Sequence, residues 1–306
     1  MVKRLSDTSD EYHSSNLIGS SAMFSGYDNR TGKINLAKLK VYLEGRKKIS
    51  TQLQKAFDVG TIQHSAILEQ DLSMVMVMPE FSPIPAITIK EQKEKWVKVN
   101  SELKIDVMPK FKAISGVTKK AQEERFKAEN PAQYYLKQSE FDDIKGAFDV
   151  LASNDIASRM ISNGLYVESS FYLESEGIKA RPDIVGETDN GSLFICNYKT
   201  INDLSKCNSN IYHHCYDLRA IHEKYVLDQY FDRKVTQYFF LFQEKSAPYS
   251  MKLYQLSELD LEFGLQEYEK VKNIVTIAVK EGFYPQPTLN IEETRVYRGF
   301  HEEMGF

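Results

Sequence analysis

The chain is short of cysteine, of long apolar runs and of positive charge, and each shortage removes a class of protein. Its three cysteines, Cys196, Cys207 and Cys215, make an odd number with no CxxC pair, which argues against a disulfide framework. Cys207, His213, His214 and Cys215 lie close together but match no standard zinc spacing. Ordinary buried thiols and exposed histidines are expected there. No stretch approaches the roughly 20 apolar residues that a membrane-spanning helix needs. Met1 to Tyr12 is polar and lacks the apolar stretch of a secretion signal, so a cytoplasmic protein without a membrane partner is expected. There are 39 Lys and Arg against 43 Asp and Glu, a net charge of -4, with a pI near 6.0. That argues against a broad basic surface coating nucleic acid, but leaves room for a local basic groove. Repeats and low-complexity segments are absent.

What is present is a composition ordinary for a globular chain: 306 residues, 42% hydrophobic and 27% charged, enough to bury a sizeable core. Residues 1–33 are polar and rich in Ser, Asn and Asp, and are expected to be a loosely held, flexible segment. Residues 34–306 are expected to form a single domain, helical over 34–163 and β-rich over 164–290. Within the helical part, Ile34 to Arg46 has helical spacing with Asn35 as a cap. Leu53 to Glu69 follows, with Phe57, Ile62, Ala66 and Ile67 facing inward and Gly60 in its middle. Val75 to Ile89 reads as a loop with short strands. Lys90 to Leu103, anchored by Trp96, and Thr118 to Asn130 read as helices, as does the long amphipathic segment Ser139 to Asn163.

The period then changes. Leu165 to Leu173 alternates, placing Tyr166, Glu168, Ser170 and Tyr172 on one side. Gly177 to Gly186 and Leu193 to Tyr198 read as strands joined by a turn at Asp189-Asn190-Gly191. A helix over Ile211 to Phe231, strands over Gln237 to Gln243 and Ser250 to Gln255, and a helix over Leu259 to Gly282 complete the pattern. The order predicts an α/β or α+β core behind a helical N-terminal section.

The chemistry concentrates in Arg181-Pro-Asp-Ile and Ile195-Cys-Asn-Tyr-Lys-Thr200. Residues two apart on a strand share a face, so Asn197 and Lys199 point the same way. A turn near Asn190 places Asp183 opposite Asn197, with Cβ atoms about 5 Å apart. Glu168, on the preceding strand or at its edge, can add a second carboxylate. Phosphodiester hydrolysis needs charge neutralised on the phosphate and a water made nucleophilic. Hard cations such as Mg²⁺ bind through carboxylates and waters, and a neighbouring lysine orients or deprotonates the water and steadies the developing charge. Taken alone, the same residues fit a surface hairpin with an Asp183–Lys199 salt bridge.

Several stretches in a fixed order resemble the RecE-like, or exodeoxyribonuclease VIII-like, exonucleases of the PD-(D/E)xK superfamily. They are Ile34-Asn-Leu-Ala-Lys-Leu-Lys, the helix Phe57-Asp-Val-Gly-Thr-Ile-Gln-His-Ser-Ala-Ile-Leu-Glu69, Val167-Glu-Ser-Ser-Phe-Tyr, Arg181-Pro-Asp, Asn197-Tyr-Lys-Thr200, and Phe242-Gln-Glu-Lys245 with Pro248-Tyr249. The resemblance spans roughly residues 34 to 290. It implies a restriction-endonuclease-like core, a central mixed β-sheet flanked by helices. It further implies metal ligands at His64, Asp183 and position 197, a catalytic Lys199, support from Glu168, and a Mg²⁺ or Mn²⁺ cofactor. Arg181, Arg219 and Thr200 are the expected DNA contacts. The implied activity is digestion of linear duplex DNA from an end, as in phage or prophage recombination, beside a single-strand annealing protein and in a homo-oligomer.

The chain departs from that pattern at three positions. Asn197 stands where the family has Asp or Glu, and offers a neutral carbonyl in place of a carboxylate. In the following helix the family has Gln with Tyr four residues later, whereas this chain has Arg219 and Glu223. A single engineered Asp-to-Asn change explains the first alone; natural divergence explains all three. The sequence therefore leaves open an enzyme, a non-catalytic DNA-end or protein-binding module on the same fold, and a protein with no nucleic-acid role.

Overall fold

A computed structural model describes residues 2–5, 8–45, 51–100, 110, 112, 115–231 and 233–285. The expected helix end at 101–103 lies outside these residues, as do the side chains of Phe57 and Trp96. In chain order, strand β1 (Val2–Leu5) leads into helices α1 (Ser9–Ser14) and α2 (Ser20–Met23), strands β2 (Tyr27–Asp28) and β3 (Lys33–Ile34), and helices α3 (Leu36–Leu43) and α4 (Thr51–His64). Strand β4 (Val75–Met78), helices α5 (Ile89–Asn100) and α6 (Lys119–Glu129), strand β5 (Tyr134–Lys137), and helices α7 (Gln138–Ala152) and α8 (Asp155–Ser162) follow. Then come strands β6 (Gly164–Val167), β7 (Ser170–Leu173), β8 (Ile178–Ala180), β9 (Ile184–Glu187) and β10 (Leu193–Ile201). Helices α9 (Cys207–His213) and α10 (Tyr216–Tyr230), strands β11 (Val235–Glu244) and β12 (Met251–Gln255), and helix α11 (Glu258–Glu281) complete the order.

The fold is α/β, with a central mixed sheet flanked by helices. Its five strands run β12-β11-β10-β9-β6. All neighbours are antiparallel except β10 and β11, which are joined by the α9–α10 crossover. Side-chain alternation divides the sheet into two apolar faces. Leu193, Ile195, Tyr238 and Phe240 pack with Leu218 and Ile221 of α10 and Tyr268 and Val271 of α11. Phe194, Cys196, Tyr198 and Leu241 pack on the other face with Ile67, Leu68, Leu151 and Ala157.

Local signals explain many element ends. Asn35 caps α3 by accepting the Lys38 N–H at 3.1 Å, and Gly282 closes α11 in the left-handed region at φ +65°. Four expected elements are interrupted. The Ser139–Asn163 helix breaks because Asn154 turns outward and caps α8 through the N–H groups of Ile156 and Ala157. The helix over Ile211–Phe231 breaks at Cys215, which lies at φ +52°. The strand over Leu165–Leu173 breaks at Glu168, φ +44°. That over Gly177–Gly186 breaks at Arg181-Pro182-Asp183, where Pro182 has no N–H to give to a ladder. The last two breaks coincide, so one long hairpin bends and crosses from the central sheet into a second sheet, β1-β7-β8. The bend is pinned by the Glu168 N–H donating to the Asp183 carbonyl at 2.9 Å.

The N-terminal segment also departs from expectation. Tyr12, Ile18, Ala22, Met23 and Phe24 are buried, and the last four join the core that contains α10 and α11. Lys179 ties the segment down by donating to the carbonyls of Tyr12 and Ser15. The polar composition conceals these few apolar residues, which suffice to dock two short helices. Among the described residues, no helix is long and apolar enough to cross a membrane.

Candidate metal centre

The bend in the hairpin is where chemistry-bearing side chains meet. The turn at Asn190-Gly191, with Gly191 at φ +81°, sets the β9–β10 register so that Cys196 faces Ile184. Asp183 and Asn197 are then opposite one another, as the alternation requires. Asp183 accepts the Tyr198 N–H at 2.7 Å and the Lys199 ammonium at 3.1 Å. Glu168 is aimed into the same space by its left-handed backbone, an unusual conformation for a residue with a side chain. Its carboxylate accepts Arg181 Nε at 3.2 Å.

His64 arrives from the opposite side, as the last residue of α4. The helix widens into a π-turn over Ser65–Glu69 directly after it, a distortion that recurs at functional sites. Its neighbour Gln63 donates to the Tyr198 hydroxyl at 2.8 Å, and that hydroxyl donates to Gln243 Oε1 at 2.7 Å. Helix α4 is thus fastened to the sheet one residue before His64, whose ring also meets Tyr198 edge-on at 5.2 Å.

His64 Nδ1 lies 3.5 Å from Glu168 Oε1 and 3.9 Å from Asp183 Oδ2. One ligand atom from each of the three residues falls within 4.8 Å of the others. An octahedral ion with bonds of about 2.1 Å places adjacent ligands about 3.0 Å apart and opposite ones about 4.2 Å apart. The two separations from His64 fall between these values. Two hard carboxylates and an imidazole also suit Mg²⁺ or Mn²⁺ chemically. The residues therefore fit a divalent cation. The expected ligand set was His64, Asp183 and Asn197; in the structure Glu168 stands with His64 and Asp183.

Asn197 is fully engaged elsewhere. Its Oδ1 accepts the Asp183 N–H at 3.1 Å, and its Nδ2 donates to Glu223 Oε2 at 3.0 Å and to the Tyr238 hydroxyl oxygen at 2.7 Å. Tyr238 donates in turn to the same Glu223 oxygen at 2.6 Å. Burial, with the charge of Asp183 adding to it, pushes the Glu223 carboxyl up to about 7, against the hydrogen bond from Tyr238, the charge of Lys199 and the hydrogen bond from Asn197. For Lys199, burial opposes the charged form, but Asp183, then Tyr216 and Glu223, outweigh it and hold the ammonium above the usual lysine range. The sequence marked Glu223 as a departure from the pattern. It carried no sign that Glu223 and Tyr238 would close on Asn197, since the three pairs are 26, 15 and 41 positions apart.

The expected DNA contacts are placed differently from one another. Arg181 points inward, onto Glu168 and onto the Ser170 hydroxyl at 2.8 Å, which makes it a support for Glu168. Arg219, half-buried on α10, donates to Ser21 at 3.3 Å and lies 5.8 Å from the Tyr216 ring, while its buried Nε has no partner. Thr200 is half-buried near the end of β10, opposite Gln243 of β11. No contact described for Arg219 or Thr200 reaches the three candidate ligands. Cys207 and Cys215 are buried thiols and His213 and His214 are exposed, as their spacing suggested.

Comparison with known proteins agrees with this fold. The model of a PDDEXK-like domain of unknown function (DUF3799) matches residues 33–295. Among solved structures, one from Eubacterium rectale, named "Putative exonuclease", aligns over 91% of this chain and 88% of its own with a TM-score of 0.53 and 13% identity. That level of identity speaks for the fold alone. A second, SSO0001, aligns over 74% of this chain and 88% of its own at 13% identity, with a TM-score of 0.27 too low to argue from. No curated protein matches the chain.

Proposed function

We propose a function on one premise: the chain belongs to the family of PDDEXK-like domains of unknown function (DUF3799). It is a nuclease that hydrolyses phosphodiester bonds of DNA, using Mg²⁺ or Mn²⁺ held by His64, Glu168 and Asp183. The observation that carries this reading is the convergence of an imidazole and two carboxylates beside Lys199 at the bend of the hairpin.

The bound cation would neutralise phosphate charge and make a coordinated water more acidic. Lys199, held 3.1 Å from Asp183, orients the attacking water and steadies charge that develops on the phosphate. Arg181 fixes Glu168 in its direction. Arg219, backed by Tyr216, offers a planar set of donors to a phosphate further along the strand, and the Thr200 hydroxyl offers another contact.

Attack on linear duplex DNA from an end, a recombination role beside a single-strand annealing protein, and assembly into a homo-oligomer are the finer parts of the proposal. The resemblance of Arg181-Pro-Asp, Asn197-Tyr-Lys-Thr200 and the His64 helix to RecE-like exonucleases supports them. The name of the E. rectale neighbour supports the first of these alone, attack as an exonuclease. A second reading has its own observation: with an amide at position 197 and every polar group of that amide bonded, the chain could bind DNA ends without cutting them.

The test is digestion of end-labelled linear duplex with Mg²⁺ or Mn²⁺, with EDTA as control, by wild type and Lys199→Ala. The nuclease reading expects cation-dependent shortening from the ends, a loss of about 100-fold or more in the variant, and DNA affinity changed by less than about threefold. Binding without cutting by wild type favours the second reading. Cleavage that persists in EDTA, or is unchanged in the variant, defeats the mechanism.

A further inference from the structure

The only buried acids among the described residues are Asp183 and Glu223, 8% and 5% exposed. They lie on opposite sides of one amide. Asn197 takes the Asp183 N–H on its oxygen and gives its nitrogen to Glu223. Burying a carboxylate is costly unless donors compensate it. Two do so here, the Asn197 amide at 3.0 Å and the Tyr238 hydroxyl at 2.6 Å, both on the same oxygen. Neither is a cation. Above about pH 7, where its carboxyl is ionised, Glu223 therefore brings a charge into the site that its direct partners leave uncancelled.

The contact to Asn197 has two physical consequences. A hydrogen bond from an amide nitrogen to a carboxylate polarises the amide and enriches its oxygen in electron density, and that oxygen is the end that faces Asp183. Second, an aspartate at 197 would have no N–H to give. It would set a carboxylate oxygen about 3 Å from Glu223 Oε2 in a buried site, where two like charges do not both persist. The amide on β10 and the acid on α10 suit each other, and an acid at each position does not.

Resting on the metal-site reading above, we propose that Glu223 supplies, through the Asn197 amide, the negative charge that the PD-(D/E)xK pattern places at position 197. Asn197, Glu223 and Tyr238 form one unit, in which position 197 carries an acid to advantage only when position 223 does not. Glu223 is a positioning residue: it orients and polarises the group that adjoins Asp183. The carboxylate has moved one hydrogen bond back from the site, from strand to helix.

The experiment compares four full-length proteins: wild type, Asn197→Asp, Glu223→Gln, and the double variant. Thermal midpoints are measured in EDTA and Mn²⁺ affinity by titration calorimetry. In EDTA, Asn197→Asp lowers the midpoint by about 5 °C when Glu223 is intact and by less than about 1 °C when Glu223→Gln is already present. Glu223→Gln weakens Mn²⁺ binding by about tenfold, and adding Asn197→Asp to it restores affinity to within about threefold of wild type. Asn197→Asp alone raises Mn²⁺ affinity by less than about threefold. If Asn197→Asp does not fold while the double variant does, the incompatibility is confirmed in its strongest form. Equal effects of Asn197→Asp with and without Glu223→Gln, or unchanged Mn²⁺ affinity in Glu223→Gln, overturn the proposal. If wild type binds no Mn²⁺, the metal-site reading fails and the charge-supply role fails with it. The midpoints still decide separately whether the two positions are coupled.

Discussion

Glu168 sits at φ +44°, a region that costs a residue with a Cβ about 1–2 kcal/mol. Its carboxylate is also where Arg181 and His64 meet. Backbone and side chain at this residue make separable contributions. Glu168→Ala and Glu168→Gly both remove the carboxylate, but only glycine accepts the left-handed backbone without strain. The glycine variant is therefore expected to be more stable than the alanine variant by about 1 kcal/mol, measured by urea unfolding, while both lose Mn²⁺ binding to the same extent. Equal stabilities would mean that the bend does not hold residue 168 in that conformation in solution. This position also shows how far residue-level reading reaches. The alternation of Leu165–Leu173 pointed to Glu168 as a second carboxylate near the site. It did not reveal that the residue leaves the strand, because glutamate is not a residue that normally marks a left-handed turn.

At the scale of elements, the site depends on how α4 is fastened to the sheet. Tyr198 lies on the face of β10 opposite to Asn197 and Lys199, and its hydroxyl joins Gln63 of α4 to Gln243 of β11. Tyr198→Phe keeps the ring but strands the Gln63 amide nitrogen and one Gln243 acceptor in a buried setting. A loss of about 1–3 kcal/mol in unfolding free energy is expected. Because His64 follows Gln63 directly, Mn²⁺ affinity is expected to fall as well, although the hydroxyl that is removed bonds Gln63 and Gln243 and none of the three candidate ligands. Lower stability with unchanged Mn²⁺ affinity would show that α4 is held by other contacts. The β9–β10 register was legible in the sequence because Asn190-Gly191 fixes the turn and period-two alternation fixes the faces. The docking of α4 was not legible, since a strand tyrosine and a helix glutamine 135 positions apart carry no local signal of their pairing. The breaks at Asn154 and Cys215 were missed for a related reason. The apolar period continues across them, and what interrupts the helix is a side-chain cap in one case and a left-handed backbone in the other.

For the whole molecule, the net charge of -4 and the acidic cluster at the hairpin bend are consistent features. On the proposed reading, a site that gathers carboxylates for a cation draws its DNA affinity from a few placed cations such as Arg219, not from a basic surface. Residues 8–28 belong to this account, because Arg219 reaches Ser21 and Lys179 holds the Tyr12 carbonyl. Composition alone described that segment as polar and loose. The order of helices and strands predicted an α/β or α+β core, the family resemblance implied its mixed sheet, and the motif at Arg181–Thr200 pointed to where on that sheet the charges gather. The pairing of Asn197 with Glu223 needed coordinates, because strand and helix meet there through the α9–α10 crossover.

The claim on which everything else depends is that His64, Glu168 and Asp183 share one divalent ion. Anomalous scattering from crystals soaked in Mn²⁺ tests it most directly. The account predicts a single strong peak about 2.1–2.3 Å from His64 Nδ1 and from one oxygen each of Glu168 and Asp183, lost in Asp183→Asn. A fully occupied ion elsewhere, or no peak among these three side chains at saturating Mn²⁺, would contradict it.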